Sequence, residues 1–154
     1  MTNEIAGVDG LELLQQAPDA LIFADREGVI RMWNAAATDI FGHSAEAAIG
    51  QSLDLIIPER FREAHWTGFD RALAAGETKY RGQALPTRSE RNGEPIYVEL
   101  TFAMVHDSSD AVVGVLCGAR DITKRFQDER EMRTRLRELE AAQQGGASGT
   151  TPAS

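Results

Sequence analysis

Between Ile96 and Val105 the chain reads "IYVELTFAMV", and this alternation constrains the fold more than any other feature. In an extended strand, successive side chains point to opposite sides. Ile96, Val98, Leu100, Phe102 and Met104 therefore share one apolar face. A sheet with such a face must be covered by another layer. Neighbouring stretches supply the other strands. "ALIFADREGVIRMWN" holds two β-like runs around Asp25-Arg26-Glu27-Gly28, a hairpin signal with glycine in the turn. "TKYRGQALPTRSE" predicts a strand, and Pro86 marks it as an edge or a bulge. Asn92-Gly93 is a hairpin turn leading into the alternating stretch. "AVVGVLCGARDI" predicts the last strand.

The cover comes from the middle of the chain. Asn34 caps a short helix, "AAATDIFG", which Gly42 closes. "SAEAAIG" repeats the pattern, with Ser44 as cap and Gly50 as stop. Pro58 opens a longer helix that runs through Ala75 and ends at Gly76. Two strands, several short helices, three strands and a long helix predict an α+β fold. Its sheet is five-stranded and antiparallel, with short helices on one face and helices at the N- and C-terminal ends.

Composition narrows the function. Hydrophobic residues make up 42% of the 154, enough for one folded domain with extensions. A net charge of −8 argues against binding nucleic acid through phosphate neutralisation. Cys117 is the single cysteine, so no internal disulfide forms and a reducing compartment fits. "MTNEIAGVDG" lacks the basic and apolar regions of a signal peptide, and no apolar run approaches the ~20 residues of a membrane span. These features predict a cytoplasmic chain that binds neither membrane nor nucleic acid.

Thr123 to Gln144 is dense in charge and free of Gly and Pro, which predicts a helix. Ile122, Met132, Leu136 and Leu139 fall at a and d positions of a heptad, with Arg125 and Glu129 in the same seam. The apolar seam is about two heptads long. It predicts either a solvated terminal helix or a helix that forms a homodimer. "GGASGTTPAS" reads as a disordered tail.

Several of these stretches together resemble a PAS domain. They are "APDALIFADREGVIRMWNAAATDIFGHSAEAAIGQSL", "IIPERFREAH", "RNGEPIYVEL" and the ending "GARDIT". The resemblance implies a sensory or interaction module without intrinsic catalysis, whose Asp121-Ile122-Thr123 end couples the last strand to a signalling helix. Residues 1–10 are then a flexible N-terminus and 11–122 the PAS domain. Residues 123–144 form a signalling and dimerisation helix, and 145–154 a disordered tail. Within the family the chain is similar to the haem-binding PAS domains of FixL-type oxygen sensors. That similarity implies His65 as the ligand to the iron of haem b, with Arg71 and Lys79 as propionate partners. Val98, Leu100 and Phe102 match those sensors' apolar distal patch. Two positions depart from the pattern. Leu85 stands in place of the distal arginine that holds bound oxygen, and Cys117 in place of a strand glycine facing the cofactor.

The residues also speak for themselves. A neutral imidazole is a good ligand for haem iron, and one proximal histidine suffices. Arg71 lies six residues beyond His65, which on a helix is roughly 120° around and about 9 Å along. That offset suits an iron ligand and a propionate partner. Phe61, Phe69 and Leu73 are expected as apolar neighbours. The alternative is an ordinary helix-flank histidine between Glu63 and Asp70. His43 and His106 read as loop residues, and three histidines so scattered give no zinc spacing. Cys117 lies outside any Asn-Cys-Arg motif of a flavin photosensor, and its other reading is a small core hydrophobe. No serine sits in a strand-turn-helix elbow. The expected function is a stand-alone sensory module that binds haem b to sense redox state or a diatomic gas, and signals through a dimer to a downstream partner. The alternatives are a cofactor-free interaction or dimerisation module, and a sensor of a small organic ligand in the same pocket.

Overall fold

The computed structural model describes residues 5–147. The first helix, α1 (Gly10–Gln15), is held by a capping box: Asp9 accepts from the Glu12 N–H while Glu12 accepts from the Asp9 N–H. The sheet begins with β1 (Ala20–Asp25) and β2 (Ile30–Trp33). Asp25 shapes the turn between them. One carboxylate oxygen accepts from the N–H groups of Glu27 and Val29, both at 3.0 Å, and the other pairs with Arg31 at 2.7 Å. Burial works to raise the pKa of this carboxyl, but the Arg31 and backbone hydrogen bonds outweigh it and hold the group below its ordinary value.

Two short helices follow, α2 (Ala35–Phe41) and α3 (Ala45–Ala48), then a single 3-10 turn at Leu53–Leu55. Asn34 and Ser44 cap the helices as expected, and Gly42 ends α2 at φ 80°. A side chain on Gly42 would collide with Asn92, so this glycine also makes room for the tip of a distant hairpin. The long helix α4 (Glu59–Ala75) starts after Pro58, which is the N-cap rather than part of the first turn, and stops at Gly76 with φ 72°.

The remaining strands are β3 (Leu85–Arg91), β4 (Glu94–His106) and β5 (Val112–Asp121). Asn92 and Gly93 both take positive φ, as a two-residue hairpin turn requires, and Arg91 faces Glu94 across it. The strand order is β2-β1-β5-β4-β3, all neighbours antiparallel, so Pro86 does lie on an edge strand. The expected start of this strand at Thr78 is corrected. Residues 78–84 form turns, with the Arg81 N–H bonded to the Thr78 carbonyl and the Gln83 N–H to that of Tyr80. Gly82 sits at φ 73°, which breaks an extended run.

The centre of the domain is fully enclosed. Ile22, Ile30, Trp33, Phe41 and Val98 are each at most 1% exposed. Burial of side chains this size contributes about 1.5–3 kcal/mol each. Asn34 lies among them at 1% exposure, and every polar atom of its amide is used. Its oxygen accepts from the N–H groups of Ala37 and Leu21, and its nitrogen donates to the carbonyls of Leu14 and Asp19. The cap of α2 is thus also the anchor for the segment joining α1 to β1.

The chain divides into two units after Asp121. The second contains α5 (Thr123–Ala147), which includes Gly145 and Gly146 and so runs three residues past the expected end at 144. The remainder of the expected disordered tail, 148–154, and the first four residues of the expected flexible N-terminus lie outside the described residues.

Replacing Asn34 with alanine removes a partner from four backbone groups, in one buried and three partly buried hydrogen bonds. At roughly 1 kcal/mol each, the substitution is expected to destabilise the domain by about 3 kcal/mol. Urea unfolding of Asn34→Ala measures this directly, and a loss below about 1 kcal/mol would refute the anchoring role.

Candidate functional site

Along α4, Arg62, His65, Trp66, Phe69 and Leu73 recur at steps of three and four, which puts them on one helix face. Phe69 reaches the core at 8% exposure, with Trp66 and Leu73 packed at its margin. Trp66 fixes the N-terminal half of the helix. Its indole N–H donates to the Asp54 carboxylate at 2.8 Å, and a side chain on Gly28 would strike its ring. Gly28, at φ 75°, is thus required twice in the β1–β2 turn. Arg62 donates to the carbonyls of Ile57 and Asp54, binding α4 to the segment that precedes it.

His65 is half-buried within this frame. Its ring lies 4.8 Å from that of Trp66, edge-on, and 5.9 Å from that of Phe69. Its Nδ1 is buried and has no hydrogen-bond partner. Desolvation lowers the imidazole pKa, and the nearby Asp54 carboxylate offsets this only in part. The ring is therefore held neutral at ordinary pH. Phe61, expected beside it, is instead 40% exposed and lies under the Arg60 guanidinium. Trp66 takes the neighbouring place.

The sheet presents ladders of side chains towards the core. Trp33, Ile22, Cys117 and Phe102 stand side by side on four adjacent strands. Ala20, Ala119, Leu100 and Leu85 form the next row, and Ala24, Val115 and Met104 a third. Coverage of these rows is uneven. Ile22 and Val98 are sealed, whereas Leu85, Leu100, Phe102, Met104, Val115 and Cys117 are only half-buried. Burial pushes the Cys117 thiol up to about 12, so it is protonated and behaves as a small apolar side chain, not as a thiolate ligand.

Of the sequence-predicted residues, Leu85 is set against Leu100, and Phe102 against Cys117, by strand register. Val98, Leu100 and Phe102 share one face, as expected. Arg71 and Lys79 are exposed, the first on α4 and the second in the following turn with its ammonium 4.9 Å from the Tyr80 ring centre. Trp66, Asp54 and Arg62 were missed as parts of the site. The apolar spacing of Trp66, Phe69 and Leu73 at steps of three and four was the available signal for Trp66. His43, expected as a plain loop residue, packs edge-on to Trp33 at 6.3 Å. Among the described residues no group of three or more His, Cys, Asp or Glu is placed to hold a metal ion. A separate polar recess of about 270 Å³, lined by residues including Asp54, Arg62 and Glu90, contains none of the predicted residues.

The comparisons with known proteins agree with this architecture. The PAS fold family matches residues 9–122. The chain belongs to that family. An uncharacterised protein of Azorhizobium caulinodans is 37% identical over 114 residues, covering 65% of this chain and 16% of that protein. The sensor protein FixL of Bradyrhizobium diazoefficiens is 27% identical over 130 residues, covering 84% of this chain and 25% of FixL. The chain thus spans a quarter or less of these relatives. Among solved structures, the PAS domain of a Colwellia psychrerythraea protein is similar with a TM-score of 0.63 at 24% identity, over 73% of this chain and 92% of that one. The expected family and fold class both hold. No helix among the described residues is long and apolar enough to cross a membrane.

The lowered pKa of His65 has a sign that can be tested. The unfolded chain takes up a proton near 6.5, before the folded one does, so this histidine favours the fold above that value. Stability is lost as pH falls from about 6.5 towards the lower folded value. Wild type is expected to lose more stability between about pH 7.5 and pH 5 than His65→Phe, which has no proton to gain there. Parallel losses in chemical denaturation would show that His65 is not held neutral by the fold.

Proposed function

We propose that this PAS domain is a sensory module that binds haem b through His65 and responds to iron redox state or a diatomic gas. One observation carries the reading. His65 is a neutral imidazole with a buried ring nitrogen that no protein group satisfies, in a domain whose apolar sheet face is in part only half-buried. A neutral imidazole of this kind is a Lewis base suited to iron. Arg71 and Lys79 would meet the propionates from the exposed side, and Leu100, Phe102, Val98 and Cys117 would line the apolar side. Haem would supply an iron centre that changes charge or takes up a gas. This chain's residues bind it, orient it and exclude water. Leu85 offers no donor for a bound gas, which favours carbon monoxide, nitric oxide or redox state over dioxygen as the signal.

The similarity to the sensor protein FixL supports this reading. The proposed role is sensing and interaction in the cytoplasm rather than catalysis, and the working form is a homodimer that acts on a downstream protein. A second reading is a small apolar organic ligand on the same face. The half-exposed Leu100, Phe102 and Met104, which such a molecule would cover, favour it.

The absorption spectrum of protein purified from haem-sufficient cells, followed by haem titration of the apo form, tests the proposal. An intense Soret band is expected. His65→Ala is expected to abolish it while leaving the far-ultraviolet circular dichroism unchanged, because Phe69, Trp66 and Leu73 still pack. Arg71→Ala is expected to weaken haem affinity by about tenfold, the loss of one charge-assisted contact worth roughly 1.5 kcal/mol, with no change in the spectrum. Identical spectra and loading in wild type and His65→Ala would remove His65 as the ligand. A failure of the apo form to take up haem would leave the organic-ligand reading.

A further inference from the structure

A histidine that binds a metal is commonly held in position by a hydrogen bond at its other ring nitrogen, often to a carboxylate. A carboxylate does stand near His65, that of Asp54, but it is bonded elsewhere. Its Oδ1 accepts from the Trp66 indole N–H at 2.8 Å and lies 3.8 Å from the Arg62 Nε. The buried Nδ1 of His65 has no partner. What packs on the imidazole is aromatic. Trp66 meets it edge-on, with ring centres 4.8 Å apart and planes at 76°, and Phe69 lies 5.9 Å away at 36°. Trp66 and Phe69 also meet each other edge-on at 5.2 Å, so the three rings form one cluster.

Trp66 is the fixed member of that cluster, held at both ends of its indole. The N–H is bonded to Asp54, and the six-membered ring lies on Gly28, where a β-carbon would collide with it. The two anchors are themselves joined, because the N–H of Leu53, next to Asp54, donates to the Gly28 carbonyl at 3.0 Å. Asp54 is held in turn. Its N–H donates to the Ser52 hydroxyl at 3.1 Å, and its carbonyl accepts from Arg62 at 3.2 Å.

We propose that Trp66, fixed by Asp54 and Gly28, is the positioning residue for His65. It sets the rotamer and the plane of the imidazole that ligates the iron, in place of a hydrogen bond to the ring. The inference rests on the haem reading above and adds how the ligand is aimed. Edge-on aromatic contacts favour particular ring angles, and an indole bonded through its N–H cannot turn away. Freed from that bond, the indole can rotate about its side-chain bonds, and the imidazole loses the wall that fixes its angle. Groups that orient a metal ligand contribute about 10–100-fold to affinity.

The Asp54 side chain is 39% exposed, so exchanging it opens no cavity in the core. Asp54→Leu removes the acceptor for the indole. It is expected to release haem about tenfold faster than wild type. In the apo protein it is expected to weaken the nuclear Overhauser contacts between the His65 imidazole and Trp66 indole protons. Asp54→Asn keeps an acceptor oxygen and is expected to recover most of both effects. Trp66→Phe, a ring without the N–H, is expected to behave like Asp54→Leu. If Trp66 only staples α4 to the preceding segment, Asp54→Leu lowers the unfolding midpoint yet leaves haem release and the ring contacts as in wild type, and the positioning role is overturned. It is overturned as well if Asp54→Asn is as damaging as Asp54→Leu, which would assign the effect to the Asp54 charge. A wild type that takes up no haem, or haem uptake that survives His65→Ala, overturns the haem reading together with this inference.

Discussion

The side-chain amide of Asn34 holds the domain in register. It is buried beyond the reach of water, so each of its hydrogen bonds must be made within the protein or lost. Its oxygen starts α2 and fixes the N–H of Leu21, while its nitrogen gathers the carbonyls of Leu14 and Asp19. One residue thereby sets where α1 ends, where β1 begins and where α2 departs. Trp33, the residue before it, is sealed in the core and donates to Thr38 and to the His43 carbonyl. Everything placed by β1, including the ladder that runs through Cys117 to Phe102, inherits its position from this corner.

A second set of constraints positions α4. Trp66 bonded to Asp54, and Arg62 bonded to two preceding carbonyls, fix the start of the helix. Ser89 on β3 donates to the Ile56 carbonyl at 2.8 Å, so the same segment is also tied to the sheet. The helix is held at its N-terminal end and by Phe69. His65 lies among these anchors, between Arg62 and Trp66, and is itself half-buried. This is where a side chain can be rigidly presented and still be reached.

Local chemistry made much of this legible from sequence. Asn34, Ser44, Gly42 and Gly76 announce helix ends because capping and positive φ are properties of single residues. Asn92-Gly93 announces its turn for the same reason. The strand face from Ile96 to Met104 was legible because strand periodicity is strict. What escaped was non-local or ambiguous. The bond from Trp66 to Asp54 joins side chains twelve positions apart, and nothing at either position signals the other. Thr78 to Ala84 looks extended, but the glycine at 82 and two turn hydrogen bonds decide otherwise. Phe61 looked like a core residue by type, yet its position on the helix turns it to solvent. Gly145 and Gly146 suggested a stop, but glycine only weakens a helix and α5 continues through both. His65 was legible as a candidate, whereas its buried nitrogen and neutral state depend on packing that only the fold reveals.

The uneven sealing of the core has a consequence for how such a domain can change over time. Trp33, Asn34, Phe41, Ile22 and Ile30 are locked by close packing, where altering even one methylene group is felt. Leu100, Phe102, Met104 and Cys117 sit on the same sheet but bear less of that packing. Substitutions there can alter the size and polarity of that face without unfolding the corner that organises the chain. The architecture thereby separates heritable novelty from structural risk: the residues freest to drift lie on the half-buried part of the sheet, away from that corner.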